Sequence, residues 1–169
     1  MAITVRPPVE ADLAALLGID SAYAQLHGLE RVITEGALRF FGRTEHSFVA
    51  EVLGDESAGP VGFVMAQAVW SGERPQVLVA RIATDGSSTA AAPLVKALVK
   101  SAYDSGVYDL LARTPAADAG LRTLLEEESF FEDRLVQYVR ILGSRGVLAA
   151  EENAKLRTTE AELEASSRG

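Results

Sequence analysis

The chain has 169 residues, 48% hydrophobic and 24% charged, with a formal net charge of -8 and no cysteine. That length and balance suit one globular domain with a real core, and the missing cysteines exclude disulfides, thiolate nucleophiles and Cys-zinc sites. Net acidity without a basic stretch argues against nucleic acid, and no apolar run or signal-like start points to a membrane or to export, so a cytoplasmic protein is expected.

Ile3 to Arg6 alternates apolar and polar residues and predicts a short strand, ended by Pro7-Pro8. A helix is expected over Glu10 to Ile19, with Leu13, Leu16 and Leu17 at helical spacing and Glu10 and Asp12 at its start, where the helix dipole favours acids. Tyr23 to Arg31 reads as a less regular connector. Thr34 can cap a second helix carrying Leu38, Phe40 and Phe41, with Gly42 near its end.

Ser47 to Leu53 and Val61 to Trp70 read as a hairpin around the turn cluster 54–60. A second turn, 71–75, leads to Gln76 to Thr84. That strand is almost continuously apolar, as a central strand covered on both faces is, and its one charge is Arg81. The polar loop 85–89 precedes a helix over Ala90 to Ser105, with Leu94, Val95, Leu98, Val99 and Ala102 on one face and Gly106 as its stop. A strand over Val107 to Arg113, a helix over Pro115 to Glu128 and a last strand over Leu135 to Leu142 follow. Gly143 to Gly146 reads as a domain edge, giving a body of 1–146 and an acidic C-terminal segment of 147–169. In that segment Leu148, Leu156 and Leu163 recur near heptad spacing, which suits a helix on the body, a helix on a second copy in a homodimer, or a frayed tail.

Three consecutive strands between helical segments argue against a doubly wound sheet, where a helix separates each parallel pair. A mixed, mostly antiparallel central sheet flanked by helices fits, antiparallel in front and βαβ-like behind. This element order over Ile3 to Leu142, with the opening Ile3-Thr4-Val5-Arg6 and Glu10-Ala11-Asp12-Leu13, resembles the GNAT N-acetyltransferases. The resemblance implies an acyl-CoA-dependent N-acyltransferase using acetyl-CoA or another acyl-CoA as co-substrate, with a small-molecule or peptide amine as acceptor. The alternative is a non-catalytic GNAT-like module binding a small anion, a CoA relative or a protein partner.

In that family, helix N–H groups after the central strand hold the pyrophosphate of acyl-CoA. The pattern (Gln or Arg, two residues, Gly, one residue, Gly or Ala) falls on Gly86, Ser87, Ser88, Thr89, Ala90 and Ala91, where only Ala91 matches. Thr89 stands for the central glycine and adds β-branched bulk. The hydroxyls of Ser87, Ser88 and Thr89 can donate to phosphate, or can simply cap the helix. The resemblance also implies main-chain polarisation of the acyl carbonyl near Ala83 and Thr84. In the next signature, Asp118 aligns with an asparagine, and Leu124 and Phe130 match. Leu125 takes the place of a tyrosine that protonates the departing thiolate in many members, a role leucine cannot fill.

Arg81 must have a partner or reach a cleft, because an unpaired buried guanidinium is very costly. It anchors an anionic substrate group, or pairs with a carboxylate such as Glu51. Glu51 is also the nearest candidate for the general base and Tyr138 for a replacement acid, although packing is the commoner role for a tyrosine on such a strand. Tyr23 and His27, in the segment the resemblance places on the acceptor side, recognise substrate or are exposed connector residues. Two histidines make no metal site alone, and no metal is expected.

Overall fold

The computed structural model describes residues 2–54, 59–86 and 88–134. The chain divides into two units, Met1–Phe131 and Glu132–Gly169, and the architecture below is that of the first. The expected last strand, the edge at 143–146 and the segment 147–169 lie outside the described residues.

Five strands form one sheet in the order β1 (Ile3–Arg6), β2 (Phe48–Val52), β3 (Pro60–Ser71), β4 (Arg74–Thr84) and β5 (Asp109–Ala112). The first three pairings are antiparallel and β4–β5 is parallel, so the expected mixed sheet is what forms. Helices α1 (Leu13–His27) and α2 (Glu35–Phe41) lie between β1 and β2 in the chain; α3 (Ser88–Asp104) crosses over from β4 to β5, and α4 (Ala119–Glu127) follows. No described helix is long and apolar enough to cross a membrane.

Strand alternation divides the core in two. Val49, Phe63, Met65 and Ala83 pack with Leu16 and Ile19 of α1 and Leu38 and Phe41 of α2. Ala50, Val64, Ala66, Val77, Val79 and Ile82 pack with Leu94, Val95, Leu98 and Ala102 of α3 and Leu125 of α4. Thr34 caps α2 by accepting the Ala37 N–H at 3.0 Å, as expected, whereas Phe40 is exposed.

The first helix differs from expectation. A 3-10 turn over Glu10–Asp12 precedes it, and it runs on to His27, where Gly28 in the left-handed region ends it. Tyr23 and His27 are therefore helical residues rather than connector residues. Asp12 is a knot more than a dipole acid: it takes Arg6 through two bonds of 2.9 and 2.7 Å and the Val9 N–H at 2.8 Å. Arg6 also binds Glu51, and these two carboxylates, Asp12 first, hold its guanidinium above the usual arginine range.

His46 is buried, with Nδ1 3.0 Å from Ser101 Oγ on α3. Burial lowers its pKa from the ordinary 6.5, outweighing the neighbouring Glu45 carboxylate that raises it. Below the ordinary value the unfolded chain thus binds more protons, so stability is full above about pH 6.5 and is lost as pH falls through the lowered folded value. The unfolding midpoint of the wild type is expected to fall more steeply between pH 7.5 and 5.5 than that of His46→Gln; parallel scans would refute this.

Candidate functional site

Strands β4 and β5 run together only from the Gln76–Asp109 pair to the Val79–Ala112 pair. There β5 ends, while β4 continues to Thr84. At the same point the β3–β4 register shifts: Met65 faces Arg81 and Ala66 faces Val79, leaving Ala80 as the extra residue of a β-bulge. Past the bulge, β4 has one edge on β3 and one edge without a strand partner among the described residues.

Main-chain alternation says which groups line that open edge. The Asp85 N–H donates to the Val61 carbonyl at 2.9 Å. This sets the phase, so Ala83 opposite Phe63 and Arg81 opposite Met65 direct their N–H and C=O groups to β3. Ile82 and Thr84 direct theirs to the open edge. Of the two residues expected to polarise a carbonyl, Thr84 thus has its main chain on the open edge, whereas Ala83 has its main chain in the ladder.

Beside this edge lies a cavity of about 220 Å³. Tyr23 and Leu29 wall it on one side, Ala80, Arg81 and Ile82 along β4, and Arg113, Thr114 and Pro115 beyond β5. Two of the three expected substrate residues, Tyr23 and Arg81, thus share a cavity, and His27 sits beside them with its ring centroid 4.5 Å from that of Tyr23.

Arg81 is 8% exposed and faces Asp20, which is 0% exposed. Arg81 Nη1 is 3.6 Å from Asp20 Oδ1, within Coulomb reach but too long for a hydrogen bond, and neither atom has another partner. Arg81 Nη2 donates to the Glu30 carbonyl at 2.8 Å, and its guanidinium lies 5.3 Å over the Tyr23 ring centroid, a cation–π distance. Asp20 Oδ2 accepts the Val32 and Ile33 N–H groups at 2.6 and 2.8 Å. Arg81 is therefore balanced by a carboxylate, but by Asp20 and not by Glu51.

The Tyr23 hydroxyl donates to Asp118 Oδ2 at 2.7 Å. Asp118 is the N-cap of α4, its Oδ1 accepting the Leu121 N–H at 3.0 Å, and His27 Nε2 stands 3.7 Å from Oδ2. Burial first, and then the bond to Asp118, hold Tyr23 above the usual tyrosine range, so it is a neutral donor at neutral pH. Glu51 does not join this group: it lies on β2, bound to Arg6. Leu125 is buried in the α3–α4 core. Tyr138 and Ser87 lie outside the described residues.

At the end of β4 the chain turns through Gly86, whose φ of +99° suits glycine and whose missing side chain leaves open space. Ser88 opens α3, Thr89 is exposed, Ala91 is half-buried, and Ala90 is fully buried against the sheet. The first N–H groups of a 17-residue helix thus emerge beside the open edge of β4. Among the described residues no acid or histidine cluster suits a metal. The residues to which the sequence assigns no role are Asp20, Arg113 and Asp118. Asp20 follows Leu13, Leu16 and Leu17 on the same helical stripe, and Asp118 stands out only by its alignment; Arg113 offers no signal.

A family profile described as "Protein of unknown function (DUF1999)" matches residues 10–158. TTHA1254 from Thermus thermophilus is 42% identical, with 83% of this chain and 98% of that chain covered and a TM-score of 0.65. Two acetyltransferases share the fold at lower identity. A ribosomal-protein-alanine N-acetyltransferase from Brucella melitensis biovar Abortus 2308 is 18% identical over 84% of this chain and 100% of its own, TM-score 0.61. A predicted acetyltransferase from Clostridium acetobutylicum, solved with acetyl-CoA, is 12% identical over 82% and 96%, TM-score 0.62. No curated protein matches the chain.

Removing the Asp20 carboxylate leaves Arg81 buried without a counter-charge and two loop N–H groups without an acceptor. Asp20→Ala is expected to cost about 3–5 kcal/mol and to lower the unfolding midpoint by roughly 10 °C. A loss under about 1 kcal/mol by urea titration would show that the pair contributes little.

Proposed function

The chain belongs to the DUF1999 family and has the GNAT fold, and on that footing we propose that it is an acyl-CoA-dependent N-acyltransferase. The observation that carries this reading is the parting of β4 from β5 at the Ala80 bulge, which leaves the Ile82 and Thr84 N–H groups on an edge without a strand partner among the described residues, with Ile82 lining the cavity and α3 opening shortly after β4 ends. A small-molecule or peptide amine is the acceptor class.

The residues present suit an acyl-CoA. Gly86 gives open space at a left-handed turn, and the N–H groups of Ser88, Thr89, Ala90 and Ala91 begin α3 where a pyrophosphate would be held. Gly62 lets the segment entering this loop sit close, since a Cβ there would lie 3.1 Å from both the Ala83 carbonyl and Thr84 Cγ2. When bound, the acyl-CoA supplies an activated acyl group for transfer to an amine.

The protein contributes position and polarisation. Ile82 and Thr84 N–H groups, fixed by the sheet, are preorganised donors for developing negative charge on a carbonyl oxygen. The Asp118 carboxylate accepts the hydroxyl of the wall residue Tyr23 and has His27 Nε2 3.7 Å away, so this group handles the amine proton in place of Glu51, whose carboxylate Arg6 occupies. Leu125 transfers no proton to the thiolate.

Thermal unfolding with acetyl-CoA tests this reading. Ligand at 100 times its Kd adds about 2.7 kcal/mol, a midpoint rise of roughly 5 °C or more for a domain of this size. In Thr89→Glu the new carboxylate suits the helix dipole, so the free protein keeps its midpoint, while like charge opposes the pyrophosphate and the rise is expected to shrink to near zero. No rise in the wild type at millimolar acetyl-CoA would remove the acyltransferase reading and leave the non-catalytic module.

A further inference from the structure

The cavity wall is more basic than the chain that builds it. In a protein with a net charge of -8, the cavity is lined by two arginines and by no carboxylate. One of them, Arg81, is already balanced by Asp20, although its Nη1 makes no hydrogen bond. The other, Arg113, is exposed at the rim and has no ion pair or hydrogen-bonded partner for its guanidinium among the described residues. A guanidinium held at the mouth of a small cavity favours a planar anion, which it can bind through two parallel N–H bonds.

The remaining walls narrow the ligand. Leu29, Ala80, Ile82 and Pro115 give an apolar surface, and the volume of about 220 Å³ suits a small molecule. Tyr23, also on the wall, donates its hydroxyl to the Asp118 carboxylate, which stands behind the lining as an acceptor for the proton of a bound amine. An unpaired guanidinium at the rim, an apolar wall and a carboxylate reached through Tyr23 follow the pattern of an amino acid with an apolar side chain.

We infer that the acceptor amine carries its own carboxylate, bound by Arg113, and that an apolar amino acid is the substrate class. This deepens the acyltransferase reading and rests on it. In the reaction the amine nitrogen bonds to the acyl carbon as the carbon–sulfur bond breaks; the amine gives up one proton and CoA leaves as the thiol. Arg113 touches the substrate carboxylate and takes no part in the bond changes.

The test measures CoA thiol release from acetyl-CoA with leucine, valine and methionine, each beside its amide and its decarboxylated amine. The inference expects the free amino acids to exceed both analogues in kcat/KM by at least about tenfold, since a site built for a charged group rejects an analogue lacking it. Arg113→Gln is expected to bring that ratio to about one while the KM for acetyl-CoA stays unchanged. Equal rates for the amides or amines in the wild type would overturn the inference and leave the acyltransferase reading intact. A rise in the KM for acetyl-CoA, with the ratio unaltered, would assign Arg113 to a CoA phosphate and also overturn it. If nothing is turned over, the midpoint with CoA present is compared for N-acetyl-leucine and N-acetyl-leucinamide. A rise specific to the acid and lost in Arg113→Gln supports the carboxylate site, and no difference sinks it. Failure of the acyltransferase reading itself is seen separately, as the absence of any midpoint rise with acetyl-CoA alone.

Discussion

Arg81 and Asp20 set the constraint that the rest of the cavity obeys. Each is too buried to be charged alone, because desolvating an ion costs several kcal/mol that only a close counter-charge offsets. Their side chains must therefore meet, and meeting ties the centre of β4 to the middle of α1. The tie reaches further through main-chain bonds. Asp20 holds the N–H groups of Val32 and Ile33, and Arg81 holds the Glu30 carbonyl. The segment between α1 and α2, which has no regular hydrogen bonding of its own, is thereby pinned against the sheet. Leu29 reaches the cavity wall from this pinned segment, and Tyr23 is kept in place by the guanidinium stacked over its ring.

Most of the fold was legible because it depends on period and punctuation. The alternation in Ile3–Arg6, the cap at Thr34, the stop at Gly106 and the apolar face of α3 are local signals, and local physics decides them. The length of α1 was not legible, for a reason that bears on function. Its inward stripe runs Leu13, Leu16, Leu17, Asp20, Tyr23, Ala24, His27 with unbroken helical spacing, but the residues become polar where the helix passes the cavity. A hydrophobic count sees the helix end at the point where it changes from core to site. Polar residues that continue an apolar stripe at the same spacing are a sign of a lined cavity.

The site was legible only in part, because partners across the fold carry no sequence spacing. That Arg81 needs a carboxylate follows from its strand, but nothing local chooses Asp20, 61 positions earlier, over Glu51. The structure decides by face: Glu51 is drawn to Arg6 on the neighbouring β1, while Asp20 lies on the helix that covers β4. The Tyr23–Asp118 bond joins residues 95 positions apart and has the same character. The phase of main-chain hydrogen bonding, which separates Ile82 and Thr84 from Ala83, needs the register and the bulge, and neither is written in the strand's composition.

The Ala80 bulge also reverses the sides of β4. Before it, odd-numbered Val77 and Val79 face α3; after it, odd-numbered Arg81 and Ala83 face α1, and even-numbered Ile82 faces α3. Ala80 and Arg81, though adjacent, consequently both belong to the α1 side. Without the extra residue, Arg81 would be driven into the apolar layer beneath α3 and the whole strand would have to be rewritten. With it, Ala80 and Arg81 on the α1 side are separated from the residues that seat α3 on the other. A substitution at position 80 alters the cavity wall on the α1 side without touching the packing of α3. One strand thus carries a cavity wall and a helix seat back to back, and the two faces answer to different neighbours.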